Sequence, residues 1–259
     1  MKKYILTLAL GMACALGFAQ NYVIVNQGTT EHKYLIKEVT AISHTADAVT
    51  IEQGEARYTY PVAEVDSITF VDAQDHVMPD NPFDPYMPIY DGDTPPNIEG
   101  CYVISTHVLD YSNYSNDTPG DTFVDQYIRF SNQDMINNTV DYEALQFTSS
   151  YTSHSYSLDS YVTGSGNNFT VFFNVYSERD DGVTTSKTAY AISGTVSDNG
   201  IVNLYDGLCM LEKNDPNNHL IPVGTIRVFR DSDGMSYRTT WPGTTIKGNN
   251  NNGRSITEK

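Results

Sequence analysis

The sequence predicts an all-β protein: a small repeated β module followed by an antiparallel up-and-down β-barrel, with a β-sandwich as the alternative. Three observations carry that expectation. Turn-forming clusters recur every 16 to 18 residues, at Gly164-Ser165-Gly166, Asp180-Asp181-Gly182, Asp198-Asn199-Gly200, Asp215-Pro216-Asn217-Asn218 and Asp231-Ser232-Asp233-Gly234. The runs between them alternate: Phe169, Val171, Phe173 and Val175 share one face, as do Tyr190, Ile192 and Val196. Near the start, a gapless shift of 26 residues superposes Gln27-Gly28 on Gln53-Gly54, Tyr34 on Tyr60, Glu38-Val39 on Glu64-Val65 and Ile42 on Ile68.

Residues 1–19 read as an export signal. Lys2 and Lys3 form a positive start, an apolar run follows from Tyr4, and Gly17-Phe18-Ala19 is a small-x-small cleavage pattern before Gln20. The apolar run falls short of the roughly 20 residues a membrane span needs, so no transmembrane span is expected. The expected location is extracytoplasmic: periplasm, cell surface or secreted. Cys14, after Leu10-Gly11-Met12-Ala13, offers the alternative of lipidation and a lipid-anchored protein.

Residues 22–72 form the repeated module. Each 26-residue unit reads as strand, glycine turn, strand, then a short helical turn placing Val39 and Ile42, or Val65 and Ile68, on one side. One unit cannot bury its apolar face alone, so the two are expected to pack together. The run Tyr60-Pro61-Val62-Ala63-Glu64-Val65-Asp66-Ser67-Ile68-Thr69-Phe70 resembles the E-V/I-D-S-I-T-F element found just behind the signal in many exported Bacteroidota proteins. The resemblance implies placement in the cell envelope and brings no catalytic residues.

Residues 73–97 read as a proline-rich linker, since Pro79, Pro82, Pro85, Pro88, Pro95 and Pro96 prevent a continuous strand or helix. Phe83, Tyr86 and Tyr90 alternate there with Asp80, Asp84, Asp91 and Asp93, either lying across a domain surface or forming an exposed strip. Residues 98–243 form the barrel-like domain. Its earlier strands are expected at Cys101 to Leu109, Phe123 to Phe130 and Tyr142 to Phe147, with a short helix competing around Asn132 to Leu145. Val202, Leu204, Leu208 and Met210 make a further period-2 set, interrupted by Asp206. Gly100-Cys101-Tyr102 resembles the Gly-x-Trp start of lipocalin-like (calycin-like) barrels, with tyrosine in place of tryptophan. The resemblance implies that Arg227 or Arg230 covers that aromatic ring. Residues 244–259, with four consecutive asparagines, read as a disordered polar tail. That tail and the lack of a consistent lipid-facing set argue against an outer-membrane barrel.

The formal net charge is −17, and loss of Lys2 and Lys3 with the signal takes it to −19. Nucleic acid is not an expected partner, because phosphate binding needs a basic surface. Cys101 and Cys209 remain after cleavage after Ala19, and either a disulfide or two packed thiols suits an exported chain. The six histidines have no zinc-binding spacing, and no nucleophile elbow or phosphate-cradling loop occurs, so neither metal nor cofactor is expected. Asp231-Ser232-Asp233-Gly234 lacks the terminal Glu of a calcium loop and reads as a β-turn.

The expected function is an exported, non-enzymatic cell-envelope protein with a ligand-binding or surface-interaction β domain. Its partner would be a small apolar ligand inside the barrel, or a glycan or envelope protein at the surface. Tyr111, Tyr114, Tyr151, Tyr156 and Tyr161, set among Ser, Thr and Asn, are the candidate binding residues. The alternative is a glycoside-acting enzyme using a carboxylate pair, drawn from Asp110, Asp117, Asp121 and Asp125.

Overall fold

The computed structural model describes residues 22–35, 38–71, 81–149, 151–242 and 255–259. The expected signal and Cys14 lie outside them. The chain divides into two compact units, residues 1–76 and 77–259.

In the first unit, β1 (Tyr22–Gln27) and β2 (Thr30–Leu35) form a hairpin, and β4 (Ala48–Gln53) and β5 (Ala56–Pro61) form its copy. Gly28 and Gly54 take the left-handed turn conformation that the repeat preserves. Each unit then gives its third strand to the other. β3 (Val39–His44) pairs with β4, and β6 (Ser67–Val71) pairs with β1, giving two three-stranded sheets.

The exchange is pinned symmetrically. Gln27 Nε2 donates to Glu64 Oε2 at 3.5 Å, and its repeat counterpart Gln53 Nε2 donates to Glu38 Oε2 at 3.3 Å. The Tyr34 and Tyr60 hydroxyls hydrogen-bond to each other. Asp66 Oδ2 accepts from Gly28 N (2.6 Å), and Ser67 Oγ accepts from Asn26 Nδ2 (2.9 Å). Glu64, Asp66 and Ser67 of the E-V-D-S-I-T-F run therefore hold the first hairpin in place. The expected helical turn is short and precedes the apolar pair, with Glu38 in 3-10 conformation before Val39. Val39 and Ile42 lie in a strand, where a register shift between Val39 and Ala41 accompanies their packing against one core. In the second copy a single 3-10 turn, Val62–Glu64, precedes Val65.

The second unit contains β7 (Gly100–Ile104), β8 (His107–Ser112), β9 (Thr122–Phe123), β10 (Gln126–Asp134) and β11 (Thr139–Phe147). The longer strands β12 (Thr152–Ser165), β13 (Asn168–Arg179), β14 (Thr185–Ser197) and β15 (Gly200–Asn214) follow. Finally come β16 (Ile226–Asp231) and β17 (Met235–Arg238). All pairings among these strands are antiparallel, and contacts of β15 with both β14 and β17 close the sheet into a ring.

Several staves are broken. β16 and β17 pair with successive parts of β15, β8 and β7 pair with them in turn, and β9 and β10 follow. Thr106, at φ +57°, interrupts the first stave, and Ser232 N donates to its carbonyl from the facing interruption at 231–234. The expected β-turn at Asp231 is present, closed by Gly234 N to Asp231 O at 3.2 Å, but the chain continues along the same stave after it. With each broken stave taken as one, consecutive strands are neighbours around an up-and-down barrel. The helix considered near 132–145 is instead the β10–β11 hairpin.

Residues 81–97, expected as a proline-rich linker, take one of the two arrangements expected of their rings: they lie across the outer wall as a strap. Phe83 is fully buried against Phe172, Ala189, Ala191 and Val228, with Met87 beside it. Tyr90 N donates to Thr170 Oγ1 (2.8 Å), and Gly164 N donates to Gly92 O (3.1 Å). Prolines bar a segment from serving as a central sheet strand, but not from covering a wall whose backbone is already paired. Residues 255–259, expected to be disordered, close one end of the barrel. Ile256 enters the interior core, Ser255 Oγ donates to Gln146 Oε1 (2.8 Å), and Arg227 Nη1 donates to Ile256 O (2.5 Å).

Candidate functional site

The barrel interior is filled by its own side chains. Ile128, Phe130, Tyr142, Phe169, Phe173 and Leu208 belong to one buried cluster, with Tyr142 and Phe173 ring centroids 4.4 Å apart. The wall expected to hold an apolar ligand, Phe169 to Val175 against Val202 to Met210, supplies much of that packing. Asp206, which interrupted the apolar alternation, anchors a buried polar chain. His107 Nε2 lies 2.7 Å from Asp206 Oδ1, and Tyr190 Oη donates to Asp206 Oδ2 at 3.0 Å. Burial first, and then the Asp206 carboxylate, raise the Tyr142 and Tyr190 hydroxyls well above their ordinary range. Both therefore stay protonated, Tyr190 as the donor to Asp206, while the Tyr142 hydroxyl accepts from Gln126 Nε2 at 3.4 Å. His107 and Asp206 are fully buried, which suits a structural bond rather than chemistry on an outside substrate.

The five candidate tyrosines are not brought together. Tyr111 stacks on Tyr86 of the strap at 3.5 Å, and Tyr114 packs against the interior cluster. Tyr151 lies under Arg179, whose guanidinium sits 3.6 Å from the ring centroid, and Arg179 pairs with Glu258 of the end closure. Tyr161 is buried opposite Phe172. Tyr156 lies on the outer wall beside Tyr176, which the sequence reading did not select.

The candidate aspartates are each engaged in the fold. Asp117 receives a bidentate pair from the buried Arg227, with both bonds at 2.7 Å. Asp110 pairs with Arg230 at 3.2 Å, Asp121 accepts from Thr118 N, and Asp125 accepts from Thr106 N. The arginine over Tyr102 is neither Arg227 nor Arg230 but Arg238, 5.0 Å from the ring centroid. Cys101 and Cys209 are free thiols rather than a disulfide. Cys209 pairs with Ile226, while Cys101 accepts from Thr239 N far along the same stave, roughly 30 Å or more away at strand rise.

What the fold does assemble is a row across the outer wall. In register, Arg129 lies opposite Glu143, Glu143 opposite Tyr156, Tyr156 opposite Tyr176, Tyr176 opposite Lys187, and Lys187 opposite Glu212. Arg129 hydrogen-bonds Glu143 and sits 4.6 Å from the Trp241 ring centroid. The Tyr156 and Tyr176 rings are 6.2 Å apart with a 30° interplanar angle, and Lys187 Nζ stands 5.8 Å from the Tyr176 centroid. Tyr156, Tyr176, Glu178, Lys187, Glu212 and Lys213 border a groove of about 410 Å³. Tyr176 is 48% exposed. Its even-numbered position, opposite in phase to Phe173 and Val175, was the available sequence signal.

Among the described residues, no cluster of His, Cys, Asp and Glu is arranged to hold a metal ion, and no helix is long and apolar enough to cross a membrane. Comparison with protein-family models, curated proteins and solved structures finds no match to the chain.

Proposed function

We propose that this chain is an exported, non-enzymatic cell-envelope protein that recognises its partner on the outer wall of its barrel. One observation carries the reading. The interior is filled with the protein's own side chains, while the outer wall presents the Tyr156–Tyr176 pair beside a groove of about 410 Å³. Solvent-facing tyrosines supply large, stiff contact area together with a polar tip, the composition that recognition surfaces favour. The glycoside-acting alternative has less support, because Asp110, Asp117, Asp121 and Asp125 are each committed to structural partners. Export rests on residues 1–19, and the E-V-D-S-I-T-F resemblance supports the envelope as the place of work.

The test is residue-resolved NMR of the full mature chain, titrated with a fatty acid, an oligosaccharide panel and a peptide panel. We expect shifts at 154–156, 176–178, 185–187 and 212–214, with interior methyl groups such as Val171 and Leu208 unmoved. A lipid-like mass retained in native mass spectrometry, with shifts confined to interior methyls, would overturn the reading in favour of a carrier.

A further inference from the structure

We infer that the Tyr156–Tyr176 groove binds a neutral, hydroxyl-rich glycan segment, an inference that rests on the outer-wall reading above. The argument begins with the kind of contact the groove can make. β12, β13 and β14 are each hydrogen-bonded on both sides at this point, whereas β15 at Glu212 to Asn214 is paired with β14 on one side. Under Tyr156, Tyr176 and Lys187 the backbone has no free edge, so a peptide cannot add itself as a strand across the two rings. Recognition falls to side chains alone.

Those side chains match a sugar. A pyranose presents a flat C–H face with hydroxyls around its rim. The two tyrosine rings, 6.2 Å apart and inclined by 30°, offer a broad aromatic platform for the faces of adjacent sugar units. Groups that can meet the rim stand directly beside it. Lys187 Nζ carries three donors and Glu212 accepts at two oxygens. Their mutual contact is loose, at 3.9 Å, with the Glu212 side chain 75% exposed. Such a pair contributes little to stability, so exchanging it for ligand hydroxyls costs little.

Charge selects among glycans. Lys213 Nζ is held by Asp215 at 3.1 Å, so the groove itself presents Lys187 between Glu178 and Glu212, while the chain as a whole carries a net charge of −17. A polyanion meets a repulsive long-range field with no local excess of positive charge to hold it. A polycation meets Lys187 Nζ, which stands 5.8 Å from the Tyr176 ring centroid at the aromatic platform itself. The complementary ligand is uncharged.

The experiment is isothermal titration of the full mature chain with neutral hexose oligosaccharides from glucan, mannan and galactan, beside a polyuronate and a peptide panel. We expect at least one neutral oligosaccharide to bind, with affinity rising from two to several sugar units. Tyr176→Ala should weaken it by about tenfold or more. Tyr237→Ala, which truncates an exposed tyrosine outside the groove, should leave it unchanged. Preference for the polyuronate overturns the inference, as does the absence of any response to millimolar neutral oligosaccharide. Peptide-induced NMR shifts at the groove without glycan binding would also overturn it, while leaving the outer-wall reading intact. Ligand shifts confined to the interior would remove both.

Discussion

Along β13, β14 and β15 the outer wall of the barrel changes character within a few residues. Where the strap lies over it, the outward positions are Phe172, Ala189, Ala191, Gly207 and Cys209, apolar or small, with Phe83 buried among them. A few positions away on the same strands, they become Tyr176, Lys187 and Glu212. Gly207 shows why the first half is built as it is: a Cβ there would stand 2.6 Å from the Phe83 ring. The covered half is shaped to fit one segment of its own chain. The bare half carries long, polar and aromatic side chains that would obstruct such close cover. Hydrophobic burial stabilises the first, whereas the second leaves its side chains open to solvent.

If that division is sound, Phe83→Ala should have the largest effect on stability. Removing a fully buried phenylalanine costs about 3–5 kcal/mol, combining lost transfer energy with the cavity left behind. Chemical denaturation should show that loss, and limited proteolysis should cut at 81–97 before any barrel strand. A change below about 1 kcal/mol would mean that the strap merely rests on the wall.

The covered half also shows where sequence reading reached its limit. Alternation in Phe169 to Val175 and the turn clusters marked long antiparallel strands, because both are local properties of the chain. The strap was harder to read. Its prolines announce that it cannot join a ladder, and nothing local tells that Phe83 meets Ala189 and Ala191. Ser255, Ile256 and Thr257 were hidden in the same way behind an asparagine-rich stretch. On the bare half, Tyr156 and Tyr161 were grouped by their polar neighbours. A register irregularity between Tyr156 and Ser160 accompanies their different surroundings: Tyr156 faces Tyr176, while Tyr161 is buried opposite Phe172. Lys187 and Glu212 meet through another irregularity, between Lys187 and Thr188. Groups gathered by register across four strands cannot be assembled by counting along one. The exchanged third strands of the first unit are a milder case: the repeat was plain, but not which hairpin each third strand would join.

Charge gives a second, smaller test of the contrast. Lys187 and Glu212 keep partial access to water, whereas Asp231 is buried at the interruption between β16 and β17. Desolvation, helped by the neighbouring negative charge of Asp233, lifts its carboxyl to about 6 against the opposing hydrogen bond from Ser236. The folded state therefore holds this proton more tightly than the unfolded chain, whose aspartates titrate near 3.9. Its contribution is most favourable below about pH 4 and is lost as pH rises through about 6. Asp231→Asn keeps an acceptor for Ser236 and removes the buried charge. We expect it to stabilise the protein by about 1–2 kcal/mol above pH 6, and to flatten this group's part of the slope between pH 4 and 6. Urea unfolding at pH 5 and pH 8 checks the sign. Equal effects at both values would show that Asp231 ionises normally in the folded state.

The smallest stability change should come from the residue most important to the proposed site. Tyr176 is 48% exposed, and its neighbours are Tyr156 and the loosely held Lys187. Cross-strand pairs on such a surface contribute roughly 0.2–1 kcal/mol, so Tyr176→Ala should lower stability by less than about 1 kcal/mol. The contrast with Phe83→Ala is the informative quantity, since both remove an aromatic side chain associated with the outer wall of one barrel. A large loss at Tyr176 would place it with the covered half, as part of what holds the fold together. A small loss leaves its exposed ring without a sufficient structural reason, and binding becomes the property to measure.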